Sequence, residues 1–155
     1  MLQQKQVDAL IRACGINVAE HPITIETNAT QPIKLDPIYR TIHASCSPKL
    51  HSVSGEKDAI NIGRLVEYMN FFETGALKFV VNGTKECWEE LDGLLVSLVQ
   101  HMKYPNWTLW AMPVGANIES QDQKHIESIV DAALKRGLHI ATRNHVYVYG
   151  NRNGK

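Results

Sequence analysis

Alternation constrains this chain more than any other feature. Short β-branched runs are separated by longer stretches whose apolar residues recur at helical spacing, and each run ends in a polar or glycine-bearing group. The first helical stretch, Leu2 to Cys14, carries Val7, Leu10, Ile11 and Cys14 on one face, with Gly15 placed for a left-handed C-terminal cap. Ile23-Thr24-Ile25 then reads as a strand that stops at Glu26-Thr27-Asn28. Pro32 and Pro37 punctuate the connection to a second run, Thr41-Ile42-His43-Ala44, which ends in Ser45 to Lys49. From Ile60 to Phe72 the residues Ile62, Leu65, Val66, Met69 and Phe72 mark one helical face, with Gly75 as its stop.

Leu77-Lys78-Phe79-Val80-Val81 is the third strand, ending at Asn82-Gly83. Thr84 can cap the helix that follows, with Glu86, Glu89 and Glu90 near its positive end and Trp88, Leu91, Leu95, Leu98 and Met102 inward. A fourth strand spans Thr108 to Met112. Ser120 and Gln123 then resemble a capping box ahead of a helix with Ile126, Ile129, Val130, Ala133 and Leu134 inward, closed by Gly137. Leu138 to Thr142 and Val146 to Tyr149 are strand-like, before a polar tail.

Parallel neighbours need a crossover, and helices of this length supply it. The predicted fold class is α/β, a parallel sheet with alternating helices. With 155 residues, 44% of them hydrophobic, residues 1–155 are expected to form one domain. One irregularity stands out. The first strand, Ile23 to Ile25, has a helix but no strand before it, although parallel strands are usually flanked on both sides. An edge that apolar calls for a neighbour.

Sixteen basic residues balance 16 acidic ones, which excludes a broad positive field for nucleic acid. A small molecule or another protein is the expected partner. The amphipathic N-terminus, with Lys5, Asp8 and Arg12 among its apolar residues, is unlike a signal peptide, and no apolar stretch is long enough to span a membrane. The expected location is the cytoplasm. Cys14, Cys46 and Cys87 are odd in number and widely separated, which argues against a disulfide framework and against a close-spaced metal or cluster motif.

In parallel α/β folds ligands bind at the carboxyl ends of the strands, where loops and free backbone donors converge. Here those ends read Glu26-Thr27-Asn28-Ala29-Thr30, Ser45-Cys46-Ser47-Pro48-Lys49, Asn82-Gly83-Thr84, Met112-Pro113-Val114-Gly115 and Arg143-Asn144-His145. Such hydroxyls, amides and cations suit a polar, zwitterionic or carboxylated ligand. They also suit ordinary turns and caps.

The same residues carry a resemblance. Glu26-Thr27-Asn28-Ala29-Thr30 looks like the E-T-N-G-T strand end of the 7-carboxy-7-deazaguanine synthases, and Ser47-Pro48-Lys49 matches their S-P-K motif. Leu77 to Val81 is similar to their L-K-F-V-V strand, and Met112 to Gly115 to the turn after the next strand. Arg143-Asn144-His145 with Tyr149-Gly150 resembles their R-x-H-x-x-x-Y-G close. Each motif is short, but five occur in the family's order between Ile23 and Asn151.

The resemblance implies the C-terminal part of a partial TIM-like barrel of the radical S-adenosylmethionine type. It implies S-adenosylmethionine contacts from Ala29, Ser47, Pro48, Lys49, Met112, Pro113, Val114 and Gly115, and pterin-substrate contacts from Thr27, Arg143 and His145. Ala29 stands where the family usually has glycine, and alanine resists positive φ. The family's [4Fe-4S] cysteine motif and Mg²⁺-binding threonine lie upstream of the matched residues, and closely spaced thiolates are what such clusters require. The expectation is therefore a split enzyme of queuosine and deazapurine biosynthesis, completed by an N-terminal partner chain that brings cluster and Mg²⁺. A homodimer is the other association left open.

Two further readings belong to other classes. One is a non-catalytic S-adenosylmethionine- or pterin-binding remnant. The other is a metal-dependent hydrolase using His43, Cys46 and His51, with His21 or Asp36, since imidazole and thiolate suit zinc. His101 and His125 fall outside the apolar stripes and are expected on the surface. Trp107 and Trp110 flank a strand, where large aromatics more often pack in a core or interface than serve as a stacking platform.

Overall fold

A computed structural model describes residues 4–18, 20–101, 103, 105–115 and 123–143. The elements are α1 (Gln4–Ala13), β1 (Thr24–Thr27), a 3₁₀ turn (Pro37–Thr41), β2 (His43–Cys46), α2 (His51–Ser54) and α3 (Ile62–Phe71). They continue with β3 (Thr74–Val81), α4 (Lys85–Val99), β4 (Trp107–Pro113), α5 (Gln123–Leu134) and β5 (His139–Ile140). The α/β alternation read from sequence is the observed architecture.

All four strand pairings are parallel, and the sheet order is β1-β2-β3-β4-β5. That order decides the architecture. Right-handed crossovers between strands added always on the same side place every connecting helix on one face, whereas doubly wound sheets reverse direction midway. The result is a singly wound sheet, consistent with part of a TIM-like barrel.

Burial follows the same division. Register aligns Ile25, Ala44, Gly75 and Trp107 in one row, Thr27, Cys46, Leu77 and Leu109 in another, and Phe79, Ala111 and Ile140 in a third. These rows share a face because side chains alternate along a strand. Against them pack Leu65 and Met69 of α3, Leu91 and Leu98 of α4, and Ile129 and Ala133 of α5, forming one core. Each large side chain fully buried there contributes roughly 1.5–3 kcal/mol. The opposite face carries Thr24, His43 and Thr74, then Glu26, Ser45, Ala76 and Thr108, then Lys78, Trp110 and His139. None of these residues belongs to the core cluster.

Helix boundaries have local causes. Thr84 Oγ1 accepts from Cys87 N at 3.3 Å and caps α4, as its sequence position foretells. Asn61 does the same for α3, accepting from Arg64 N at 3.0 Å. Gly15 and Gly137 take φ of 62° and 71° beyond α1 and α5, where glycine relieves the left-handed conformation.

Gly75 differs from the expected helix stop: α3 ends at Phe71 and Gly75 lies inside β3. A Cβ at Gly75 would meet the Trp107 ring at 2.6 Å, so glycine is there to admit an indole. Trp107 in turn donates from Nε1 to the Phe72 carbonyl at 3.1 Å. Leu134, expected inward, is 59% exposed, because α5 reaches the sheet through Ile129 and Ala133. The second strand lies two residues later than its apolar run, since Pro37–Thr41 forms the 3₁₀ turn with Asp36 as its cap. The proposed capping Ser120, the Met102 side chain and the Val146–Tyr149 segment lie outside the described residues. No helix among the described residues is long and apolar enough to cross a membrane.

Among the described residues the sheet has an open side at β1. His43 N donates to Ile23 O at 3.0 Å and Ser47 N to Thr27 O at 2.7 Å, so odd-numbered residues of β1 face β2. Thr24 and Glu26 consequently turn their backbone groups to the free edge. Beside that edge runs a groove of about 750 Å³, walled by Val7, Leu10 and Ile11 of α1, by Cys14 just after it, and by Ile23 and Ile25. The helix that precedes a strand in a βαβ unit covers two strands. Here α1 has only one to cover.

Candidate functional site

The carboxyl ends of β1, β2, β3 and β4 lie side by side, so the polar groups that follow them in sequence form one rim. At the end of β1, Thr27 Oγ1 accepts from Ala29 N at 3.0 Å, while Asn28 Oδ1 accepts from Thr30 Oγ1 at 3.0 Å. These bonds fold the Thr27–Thr30 segment back on itself. Ala29 sits in this turn with φ 56° and 2% exposure. It thus adopts the left-handed conformation that a glycine would take without strain, although it carries a methyl group.

At the end of β2, Ser47 is half-buried, Pro48 is buried and Lys49 is exposed. At the end of β4, Met112 is half-buried on the open face, Pro113 is buried, and Val114 donates from N to Val81 O at 2.8 Å. Gly115 follows with φ 141°, a value that favours glycine. Asn82 joins the rim from β3: its amide donates to Ser52 O at 3.3 Å and its Oδ1 accepts from Thr84 Oγ1 at 2.9 Å.

Two expected ligand contacts from distant parts of the chain meet here. Lys49 and Arg143 line one cavity of about 190 Å³ with Leu50, Val53, Ser54 and Val80. Among the described residues neither cation has an ion-pair partner. A pocket with two cations and a hydroxyl is suited to a carboxylate or phosphate. Thr27 faces a different space, the upper end of the edge groove, which Asn28, Thr30 and Gln31 also line. Position 145 lies outside the described residues.

The neighbourhood of β1 and β2 has perturbed acidities. Burial raises the Cys46 thiol to about 12, so it stays protonated at neutral pH. Burial also raises the Tyr68 phenol, against the opposing pull of the nearby Thr27 hydroxyl. For Glu90, burial works upward but is outweighed by hydrogen bonds from Ser52 and from the backbone of Ser52 and His51, and the carboxyl ends below its usual value. Those backbone donors, His51 N at 2.8 Å and Ser52 N at 2.9 Å, are the first amides of α2. Glu90 therefore holds the loop after Lys49 in place.

The hydrolase constellation is not assembled. Among the described residues no three His, Cys, Asp or Glu side chains gather as a metal set. His43 and Cys46 are three residues apart on one strand and so point to opposite faces, with His43 Nδ1 against Thr74 Oγ1 at 3.3 Å and Cys46 in the core. The cysteines do not fit an iron-sulfur cluster either: Cys46 and Cys87 are buried, and Cys14 is exposed on the other side of β1.

Residue-by-residue reading missed the row Lys78, Trp110 and His139 on the open face. Strand parity could have found it, because Lys78 interrupts an otherwise apolar strand. Trp107 is core, as expected of a strand-flanking aromatic, but Trp110 points the other way and is half-exposed. His101 and His125 are exposed, as expected. No family model, curated protein or solved structure matches the chain.

Proposed function

We propose that this chain is the ligand-binding, C-terminal part of a radical S-adenosylmethionine enzyme resembling 7-carboxy-7-deazaguanine synthase. Assembled with a cluster-bearing N-terminal partner, it would convert 6-carboxy-5,6,7,8-tetrahydropterin to 7-carboxy-7-deazaguanine. The observation that carries this reading is the coincidence of the resembling motifs with consecutive carboxyl ends of a singly wound sheet. Ala29, Ser47 to Lys49 and Met112 to Gly115 are the residues that would hold S-adenosylmethionine, and Thr27 and Arg143 would contact the pterin. The left-handed φ of Ala29 supports the match to a family glycine, because the backbone keeps the glycine-like shape. The cluster and Mg²⁺ belong to the partner in this reading, since the cysteines present are unsuited to a cluster.

The groove beside β1 supports the need for a partner. An added parallel strand would satisfy the outward backbone groups of Thr24 and Glu26 and cover the exposed apolar face of α1. Because the groove rises to Thr27 and Asn28, the same strand would end next to the substrate contacts. Co-purification with a co-expressed chain carrying C-x3-C-x2-C tests this directly. Leu10 is 62% exposed, so Leu10→Glu should leave the fold intact and weaken co-purification at least tenfold. Undiminished association of Leu10→Glu, or none by the parent, contradicts the proposal.

The cavity shared by Lys49 and Arg143 favours a second reading, a binding protein without radical chemistry, because both cations come from this chain alone. S-adenosylmethionine binding by the isolated chain, unchanged on adding the partner, would select it.

A further inference from the structure

Among the described residues no helix covers one face of the sheet, and that face has one row unlike the others. Lys78 of β3 is in register with Trp110 of β4, and Trp110 with His139 of β5. Adjacent strands lie about 4.8 Å apart, so the three side chains share a strip roughly 10 Å wide. Trp110 is oriented: its Nε1 donates to Thr108 Oγ1 at 2.8 Å, and the His139 ring lies 4.7 Å from it at a tilt of 31°. The indole's polar edge is thereby satisfied while the residue stays partly open. Lys78 is half-buried, and among the described residues no carboxylate pairs with it. Among the described strand residues the one carboxylate on this face is Glu26, on β1, two strands from β3. Val80 and Met112, one row nearer the carboxyl ends, add an apolar border.

We propose that Lys78, Trp110 and His139 form a recognition platform for a heterocycle with a flat, pterin-like part and a carboxylate substituent. The flat part of the heterocycle lies against the indole, beside the His139 imidazole. The carboxylate meets the Lys78 ammonium, a compact positive charge on a flexible stem. Ser47 falls one step beyond the Cys46 and Leu77 pair, level with Lys78, which puts the rim's hydroxyl at the platform's side. In naming a pterin-like ring the platform rests on the proposed function; in requiring a flat ring and an anion it rests on the row alone.

Calorimetric titration of the full chain with 6-carboxypterin, and in parallel with pterin lacking the carboxylate, reads both halves of the platform. A hydrogen bond to a charged group is worth about 1.5–3 kcal/mol, so the parent should prefer the carboxylated probe at least about tenfold. Lys78→Gln should bring the two probes to equal affinity, while Trp110→Leu should weaken both, with unchanged far-ultraviolet circular dichroism. No binding, equal affinity of the parent for both probes, or a preference that survives Lys78→Gln overturns the platform. A chain that fails here yet makes product with its cluster-bearing partner refutes the platform and leaves the proposed function standing. One that passes yet makes no product with that partner does the reverse.

Discussion

Replacing Ala29 by glycine and by valine separates backbone from side chain at the turn that follows β1. Ala29 holds φ 56° at 2% exposure, so its conformation is strained and its methyl group enclosed. The left-handed region costs an L-residue about 1–2 kcal/mol, and glycine escapes that cost. Glycine also forfeits a buried methyl, worth about 0.8 kcal/mol, and frees the unfolded chain by about 0.4–1 kcal/mol. These contributions nearly cancel, and Ala29→Gly is expected within about 1 kcal/mol of the parent. Valine forces two more methyl groups into a closed space, where overpacking costs about 1–3 kcal/mol, and a branched residue is an outlier at positive φ. Ala29→Val should therefore lose about 2 kcal/mol or more. Equilibrium urea unfolding measures both, with the slope expected to stay constant. A valine variant as stable as the parent would refute a left-handed residue 29. A glycine variant several kcal/mol less stable would show that the methyl group, and not the backbone, sets the turn.

Gly75→Ala should destabilise by about 1–3 kcal/mol, because its Cβ would stand 2.6 Å from the Trp107 ring; thermal unfolding checks this. Glu90 has a folded-state pKa below its ordinary 4.5, so its contribution to stability is full above that value and disappears as pH falls through the depressed one. The stability difference between parent and Glu90→Gln, read by urea unfolding, should accordingly be constant near neutrality and shrink in acid. Cys14 is exposed while Cys46 and Cys87 are buried, so a thiol reagent should label Cys14 alone in the native chain and all three in denaturant.

The sequence made the fold class legible because strand runs and helical stripes each keep one period over most of their length. Gly75 was misread since glycine ends helices and admits neighbours equally well, and only the tertiary position of Trp107 distinguishes the two. The helix α2 escaped notice because its four residues have no stripe, and its N-terminus is capped by Glu90, far away in sequence. At the rim, individual strand ends were readable from their polar composition. Which of them would share a pocket was not: the common cavity of Lys49 and Arg143 depends on how the loop after β2 and the segment after β5 pack beside Val80. The Lys78 row was hidden for a related reason, since the register between strands is set by packing of the opposite face.

We propose that this chain supplies ligand contacts to a reaction whose radical source lies in another chain. Anaerobic incubation of the reconstituted pair with S-adenosylmethionine, a reductant and 6-carboxy-5,6,7,8-tetrahydropterin, followed by chromatographic detection of 7-carboxy-7-deazaguanine, tests it most directly. Product is expected from the pair and none from either chain alone, with a large loss when Lys49 and Arg143 are both changed to neutral residues. Product from the partner without this chain, or no product from a stable, cluster-loaded pair, would contradict it.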